Sequence, residues 1–122
     1  GRSLFTLPVG PSCVIREAQL SAAVKGVAGN SANTPVLGVG TVVASGAVAV
    51  LSGTATFQDI VVGVAAGDAN GTAMESVLAP DKTFLPNASS RSGFLNAAAA
   101  WSVIDAAALI YGTFRMNWVR FG

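Results

Sequence analysis

The chain has 122 residues, of which 52% are hydrophobic and 11% charged, and its seven Lys and Arg against six Asp and Glu leave a net charge of +1. This length predicts a single domain, and the apolar fraction excludes an intrinsically disordered chain. The absence of His removes the commonest general base and metal ligand, and the lone Cys13 excludes a cysteine zinc site and an internal disulfide. So small a net charge predicts no nucleic-acid partner, and so few charges favour a chain that packs against neighbours.

The first segments predict a short strand and then a long one. Residues 3–7 are mostly apolar and end at Pro8, which cannot continue a paired strand. In residues 13–26 the even positions up to 24 are apolar, except for Arg16, and several odd positions are polar. This period of two predicts a strand with one buried face.

The middle of the chain predicts a hairpin and one helical turn. Residues 36–44 and 47–52 predict strands joined by a Ser-Gly turn, and glycines inside the first of them indicate either the close approach of another backbone or a bulge. Residues 57–63 predict a short helix, because Thr56 can cap its start and Asp59 lies in its first turn. Pro, Asn and Gly interrupt the uncharged stretch that surrounds the hairpin, so we expect no membrane span there.

The second half predicts three further strands. Residues 72–78 and 93–97 predict short strands, with loops at 80–82 and 86–92. Residues 107–121 predict a second long strand, in which the even positions carry most of the large apolar side chains. We expect this even face to lie on the core and the polar centre of the odd face to meet water or a partner.

Together these elements predict an all-β fold. Strands dominate and do not alternate with helices, which argues against a parallel α/β sheet. We therefore expect a jelly-roll-like β-sandwich of about eight strands with one short helix near residues 57–63. Residues 13–122 would form this single sandwich domain, and residues 1–12 an extended N-terminal segment that contacts a neighbouring molecule.

Residues suited to chemistry are few. The segment that starts at Asp68 resembles the opening of a calcium loop, but Glu75 comes too early to close one, so a plain turn is favoured. Asn70 and Asn87 begin glycosylation triplets, which are common by chance. No His is present to activate Cys13, and most acids lie in predicted turns. We therefore predict no catalytic, cofactor or metal site and no enzymatic activity.

Five segments resemble stretches of small structural proteins of tailed bacteriophages, and they follow one another in the same order. They are TPVLGVGTVVASG (34–46), FQDIVVG (57–63), DANGTA (68–73), FLNAAAAW (94–101) and GTFRMNW (112–118). The resemblance implies a virion component, commonly a decoration or cement protein of the capsid. It implies no catalytic residues.

This resemblance leads to the expectation of a homotrimeric cement protein, made in the bacterial host cytoplasm and located on the phage head. Its partners would be the major capsid protein and further copies of itself, which it ties together against the pressure of packed DNA. We expect Leu4, Phe5 and Leu7 to anchor the N-terminal segment on the capsid. Arg115 and Arg120, on opposite faces of the last strand, are the other candidate interface residues.

Two alternatives remain from the sequence. A tail or head-fibre β-sandwich that binds host surface carbohydrate would expose Trp101 and Tyr111 as a stacking platform, whereas packing in the core is the favoured role of Trp118. A small phage enzyme would need a cleft with two nearby carboxylates. The acids available to it include Asp59, Asp68, Glu75, Asp81 and Asp105.

Overall fold

Two antiparallel β-sheets make up most of the described chain, in a computed structural model that describes residues 1–26, 36–45, 48, 50–65, 74–77, 82–84, 91–98 and 108–121. The strands are β1 (Arg2–Leu7), β2 (Cys13–Gly26), β3 (Val36–Gly40), β4 (Val61–Ala65), β5 (Met74–Val77), β6 (Lys82–Phe84), β7 (Arg91–Ala98) and β8 (Ala108–Arg120). Over these residues, the only helical elements are two 3₁₀ turns, Leu51–Gly53 and Ala55–Phe57. The prediction of an all-β fold is confirmed.

The strand order places the two long strands side by side. The first sheet has the order β1-β7-β3-β4. In the second sheet, β2 pairs with β8 along one side and with β5 and β6 along the other. Every pairing in both sheets is antiparallel.

A β-bulge in β2 explains why Arg16 interrupts the alternation of apolar and polar residues in this strand. The pairing with β8 shifts between Ile15 and Glu17, so Arg16 is an extra residue at a β-bulge. Before the bulge the odd residue Ile15 is buried, and beyond it the even residues Ala18 and Leu20 are buried. The predicted strand 13–26 is thus confirmed, with a core face that changes from odd to even at Arg16.

The two sheets bury a common core. Ile15, Ala18 and Leu20 of β2 lie in one cluster with Leu7 of β1 and Leu37 of β3. Each of these side chains is at most 4% exposed. Burial of apolar area of this kind, at about 25 cal/mol per Å², is the main term that holds two sheets together.

The predicted helix at 57–63 is wrong. Its last three residues lie in β4, because Val61 pairs with Val39 of β3 and β-branched side chains favour a paired strand over a helix. Asp59 lies in no helical turn; its Oδ1 accepts a hydrogen bond from the backbone nitrogen of Thr41 and its Oδ2 accepts one from the Thr41 hydroxyl, both 2.8 Å. The two 3₁₀ turns lie immediately before the bend that spans residues 58–60 and contains Asp59.

The predicted hairpin of 36–44 with 47–52 is also wrong. Strand β3 ends at Gly40 and pairs with β4 and β7 instead. Residues 51–53 form a 3₁₀ turn, and Gly46, Ala47 and Ala49 lie outside the described residues. The close backbone approach is confirmed, because a Cβ at Gly40 would lie 2.2 Å from the carbonyl oxygen of Thr56.

Asn96 of β7 holds the segment between β3 and β4 in place. Its side chain is fully buried and donates through Nδ2 to the carbonyl oxygens of Val42 (2.8 Å) and Phe57 (2.9 Å). Its Oδ1 accepts a hydrogen bond from the backbone nitrogen of Ala44 (2.8 Å). One amide therefore satisfies three backbone groups, one buried and two partly buried, that no strand pairs.

Candidate functional site

Strand β8 forms an edge of the second sheet. It is 13 residues long and pairs with β2 over its whole length. Among the described residues, no strand pairs with its other side, which we call the β8 edge. An edge strand presents backbone N–H and C=O groups to its surroundings, so a long one is a template for pairing with another chain.

The outer face of β8 is exposed and polar at its centre. It carries Tyr111, Thr113, Arg115, Asn117 and Val119, all exposed. Nδ2 of Asn117 donates a hydrogen bond of 2.8 Å to Oε2 of Glu17 on β2. Arg115 lies opposite the next polar residue of β2, Gln19, and an open groove of ≈ 460 Å³ runs beside these side chains. This face offers hydrogen-bonding groups and one guanidinium to a partner.

The inner face of β8 faces the core only in part. Phe114 and Met116 lie opposite the buried Leu20 and Ala18 of β2, and both are themselves half-buried. The Phe114 ring stacks on the ring of Phe5 from β1, with centroids 5.8 Å apart and planes at 6°. The predicted assignment of the even residues to the core side is confirmed at these two positions.

A cleft separates β1 from β8. We call it the β1/β8 cleft; it has a volume of ≈ 290 Å³. Its apolar lining includes Leu4, Leu20, Leu95, Ile110 and Phe114. Arg2 lines it on the β1 side. Among the described strands, β1 and β8 are each at the edge of a sheet, and no described strand joins the two sheets on this side.

Exposed apolar side chains gather toward the end of β8. Trp118 is 40% exposed, Val119 42% and Phe121 46%. Phe121 is held by its backbone nitrogen, which donates to the carbonyl oxygen of Ser12 (2.9 Å). Trp118 therefore does not have the buried packing role favoured from the sequence, and this end of the strand is suited to contact with another surface.

The predicted interface residues fall in different environments. Leu7 is 2% exposed and belongs to the core, whereas Leu4 and Phe5 are half-buried. Leu4 lines the β1/β8 cleft, and Phe5 stacks on Phe114. Arg115 and Arg120 are exposed on β8, opposite Gln19 and Cys13, so they lie on opposite faces as predicted. The structure brings Phe5 and β8 together and leaves Leu7 away from any surface.

Arg91 is a structural residue that the sequence analysis missed. It is buried, and Nη1 and Nη2 donate hydrogen bonds to the carbonyl oxygens of Pro11 (3.0 Å) and Pro8 (2.5 Å). It therefore fastens the link between β1 and β2 to β7, and because β1 also pairs with β7, both are held to the first sheet of their own chain. An Arg in a Ser-rich stretch gives no pattern by which this role could be predicted.

The described thiol and carboxyl side chains that could take part in catalysis or metal binding do not form a common site. Cys13 is buried and free, as expected for an inert thiol. Glu17 binds Asn117 on the second sheet, whereas Asp59 binds Thr41 beside the first. No group of three metal-ligating side chains occurs in the part of the chain that the structure describes. Several predicted features lie outside it, namely Asp68, Asn70, Asp81, Asn87, Trp101 and Asp105.

Comparisons with family models, curated proteins and solved structures found no match to this chain. Among the described helical segments, none has the length and hydropathy to cross a membrane. The candidate site is therefore defined by geometry alone. It consists of the β8 edge, the outer face of β8 and the β1/β8 cleft.

Proposed function

We propose that this chain is a non-enzymatic structural protein of a tailed-phage virion, a decoration or cement protein that binds the outer face of the head. The observation that carries the proposal is β8 itself, a 13-residue edge strand with exposed apolar side chains at its end. The resemblance of five segments to phage structural proteins supports the same conclusion. In this role the protein stabilises the head against the pressure of packed DNA.

The β8 surface is suited to adhesion. Tyr111, Trp118 and Val119 each expose two fifths or more of their side chains on a stiff strand, so contact costs little conformational entropy. When many copies bind a regular shell together, contacts that are weak in each copy give strong attachment through multivalency. The proposal includes a homotrimer at a local three-fold axis, with the major capsid protein as partner. It also includes the jelly-roll-like arrangement of about eight strands.

The first experiment locates the protein in the particle. Quantitative mass spectrometry and imaging of purified phage should find it in hundreds of copies on the head. Particles that lack it should release their DNA at a lower temperature, and added protein should restore their stability. A few copies confined to the tail would contradict the proposal.

A pair of matched variants tests the surface. Val119→Asp places a charge on β8, at a side chain that is 42% exposed, and should abolish binding to stripped heads. Val64→Asp makes the same change on β4, at a side chain that is 40% exposed, and should leave binding intact. Equal loss in both variants would show that β8 is not the contact.

One observation favours a second candidate, a fibre module that binds host carbohydrate. Tyr111 is 50% exposed at one end of the outer face of β8, next to a polar pocket of ≈ 180 Å³ lined by Gln19, Ser21, Thr113 and Arg115. An aromatic ring beside hydrogen-bonding groups suits a sugar. In a glycan-binding assay, this candidate requires a signal that Tyr111→Ala removes, together with a location on the tail or fibre.

A further inference from the structure

The β1/β8 cleft and the β8 edge lie along the same strand. A strand added to the β8 edge would continue the second sheet, and its side chains would alternate between the two faces. Those on one face would enter the cleft beside Ile110 and Phe114. Those on the other would lie next to Thr113, Arg115 and Asn117, which are exposed. The surroundings of an added strand are therefore apolar on one face and polar on the other.

The charges on this side of the molecule are positive. Arg115 and Arg120 are exposed on β8, and Arg2 lines the cleft opposite them. No acid occurs in β8 (ALIYGTFRMNWVR), and no described acidic side chain forms an ion pair with Arg115 or Arg120. Among the acids whose side chains the structure describes, Glu17 lies beside the outer face, and it accepts a hydrogen bond from Asn117. An occupant with negative charge would complement these arginines.

This charge argues against a second copy of the same edge. Two β8 strands paired with each other would bring arginines into one ladder with no acid between them, and like charges across a ladder are destabilising. An acidic strand from a different protein would gain the same backbone hydrogen bonds without that repulsion.

We propose that the β8 edge receives an extended segment of another protein by strand addition, and that this segment alternates apolar residues with polar ones and carries an acid opposite Arg115. Backbone hydrogen bonds supply affinity, the cleft selects the apolar residues, and Arg115 sets the register. This inference rests on the proposed function, because the segment would come from a neighbouring protein of the phage head.

The test uses the full chain and synthetic peptides. The probe is a blocked nine-residue peptide in which valine alternates with threonine and a glutamate occupies the centre, compared with the same peptide carrying lysine there. Binding is measured by NMR titration and by hydrogen exchange of the β8 amides. We expect the glutamate peptide to slow exchange in β8 and to bind about three- to tenfold more tightly than the lysine peptide at low salt.

Charge reversal gives the decisive comparison. Arg115→Glu should invert the preference between the two peptides, because it replaces the attracting group at an exposed position. Lys82→Glu, on β6 at the opposite side of β2, changes the net charge equally and should leave the preference unaltered. An unchanged preference in Arg115→Glu would overturn the assignment of the acid to this residue.

Three further results would overturn strand addition itself. The first is that millimolar peptide does not slow hydrogen exchange of the β8 amides. The second is that a peptide with methylated backbone nitrogens binds equally well. The third is that exchange in β8 slows with rising protein concentration in the absence of peptide. The last would make a second copy the occupant. If the protein binds heads but binds no peptide, only this inference is refuted. If it binds the peptide but is absent from the head, only the proposed function is refuted.

Discussion

Replacement of Asn96 by Leu should be among the most destabilising single changes in this chain. The side chain is fully buried, and the substitution keeps its approximate size while it removes all three of its hydrogen bonds. The backbone nitrogen of Ala44, in a buried bond, and the carbonyl oxygens of Val42 and Phe57, in partly buried bonds, would then lose these partners. A cost of about 2 kcal/mol for the buried nitrogen and about 1 kcal/mol for each partly buried carbonyl sums to about 4 kcal/mol.

Equilibrium unfolding in urea, followed by intrinsic fluorescence and circular dichroism, measures this loss. The midpoint should fall with little change in slope, because the surface exposed on unfolding stays similar. Asn117→Leu is the matched control, since Asn117 makes an exposed hydrogen bond to Glu17 and should cost less than about 0.5 kcal/mol. A loss below about 1 kcal/mol for Asn96→Leu, or one equal to the control, would refute the role given to this amide.

Three other substitutions, the first with a matched control, test packing and hydrogen bonding by the same unfolding measurement. Gly112→Ala should cost about 2 kcal/mol, because a Cβ there would lie 2.0 Å from the carbonyl oxygen of Ser21, whereas Gly53→Ala, with its nearest contact at 3.6 Å, should be close to neutral. Phe5→Ala should cost about 2 kcal/mol through loss of the half-buried ring stack, and an effect below about 0.5 kcal/mol would contradict that contact. Asp59→Ala should cost about 2 kcal/mol through its two lost hydrogen bonds, and a neutral result would show that the bend forms without them.

The long strands could be predicted because their pattern is local. In β2 and β8 every second residue is apolar over many positions, and a period of two has one structural meaning. The bulge was visible only as an exception, Arg16, since the pairing that accommodates an extra residue depends on the partner strand. The short strands β4 and β6 lacked such a repeat, so helix and loop signals prevailed there.

The candidate site was predictable only in part. Arg115 and Arg120 stand out as charges in an apolar strand, and both are exposed in the structure. The roles of Asn96 and Arg91 depend on backbone groups of residues far away in the chain, such as Pro8, and no local pattern encodes those contacts. The β1/β8 cleft likewise arises from two edge strands that are distant in sequence.

The order of the strands has a consequence for synthesis on the ribosome. Strand β1 pairs with β7, and β2 pairs with β8, so each sheet joins the earliest part of the chain to the latest. Neither sheet can close until most of the polypeptide has emerged, and such distant pairings make folding slow. The side of β2 that pairs with β8 therefore stays unpaired during most of translation, when a chaperone or rapid completion of the chain would protect it from aggregation.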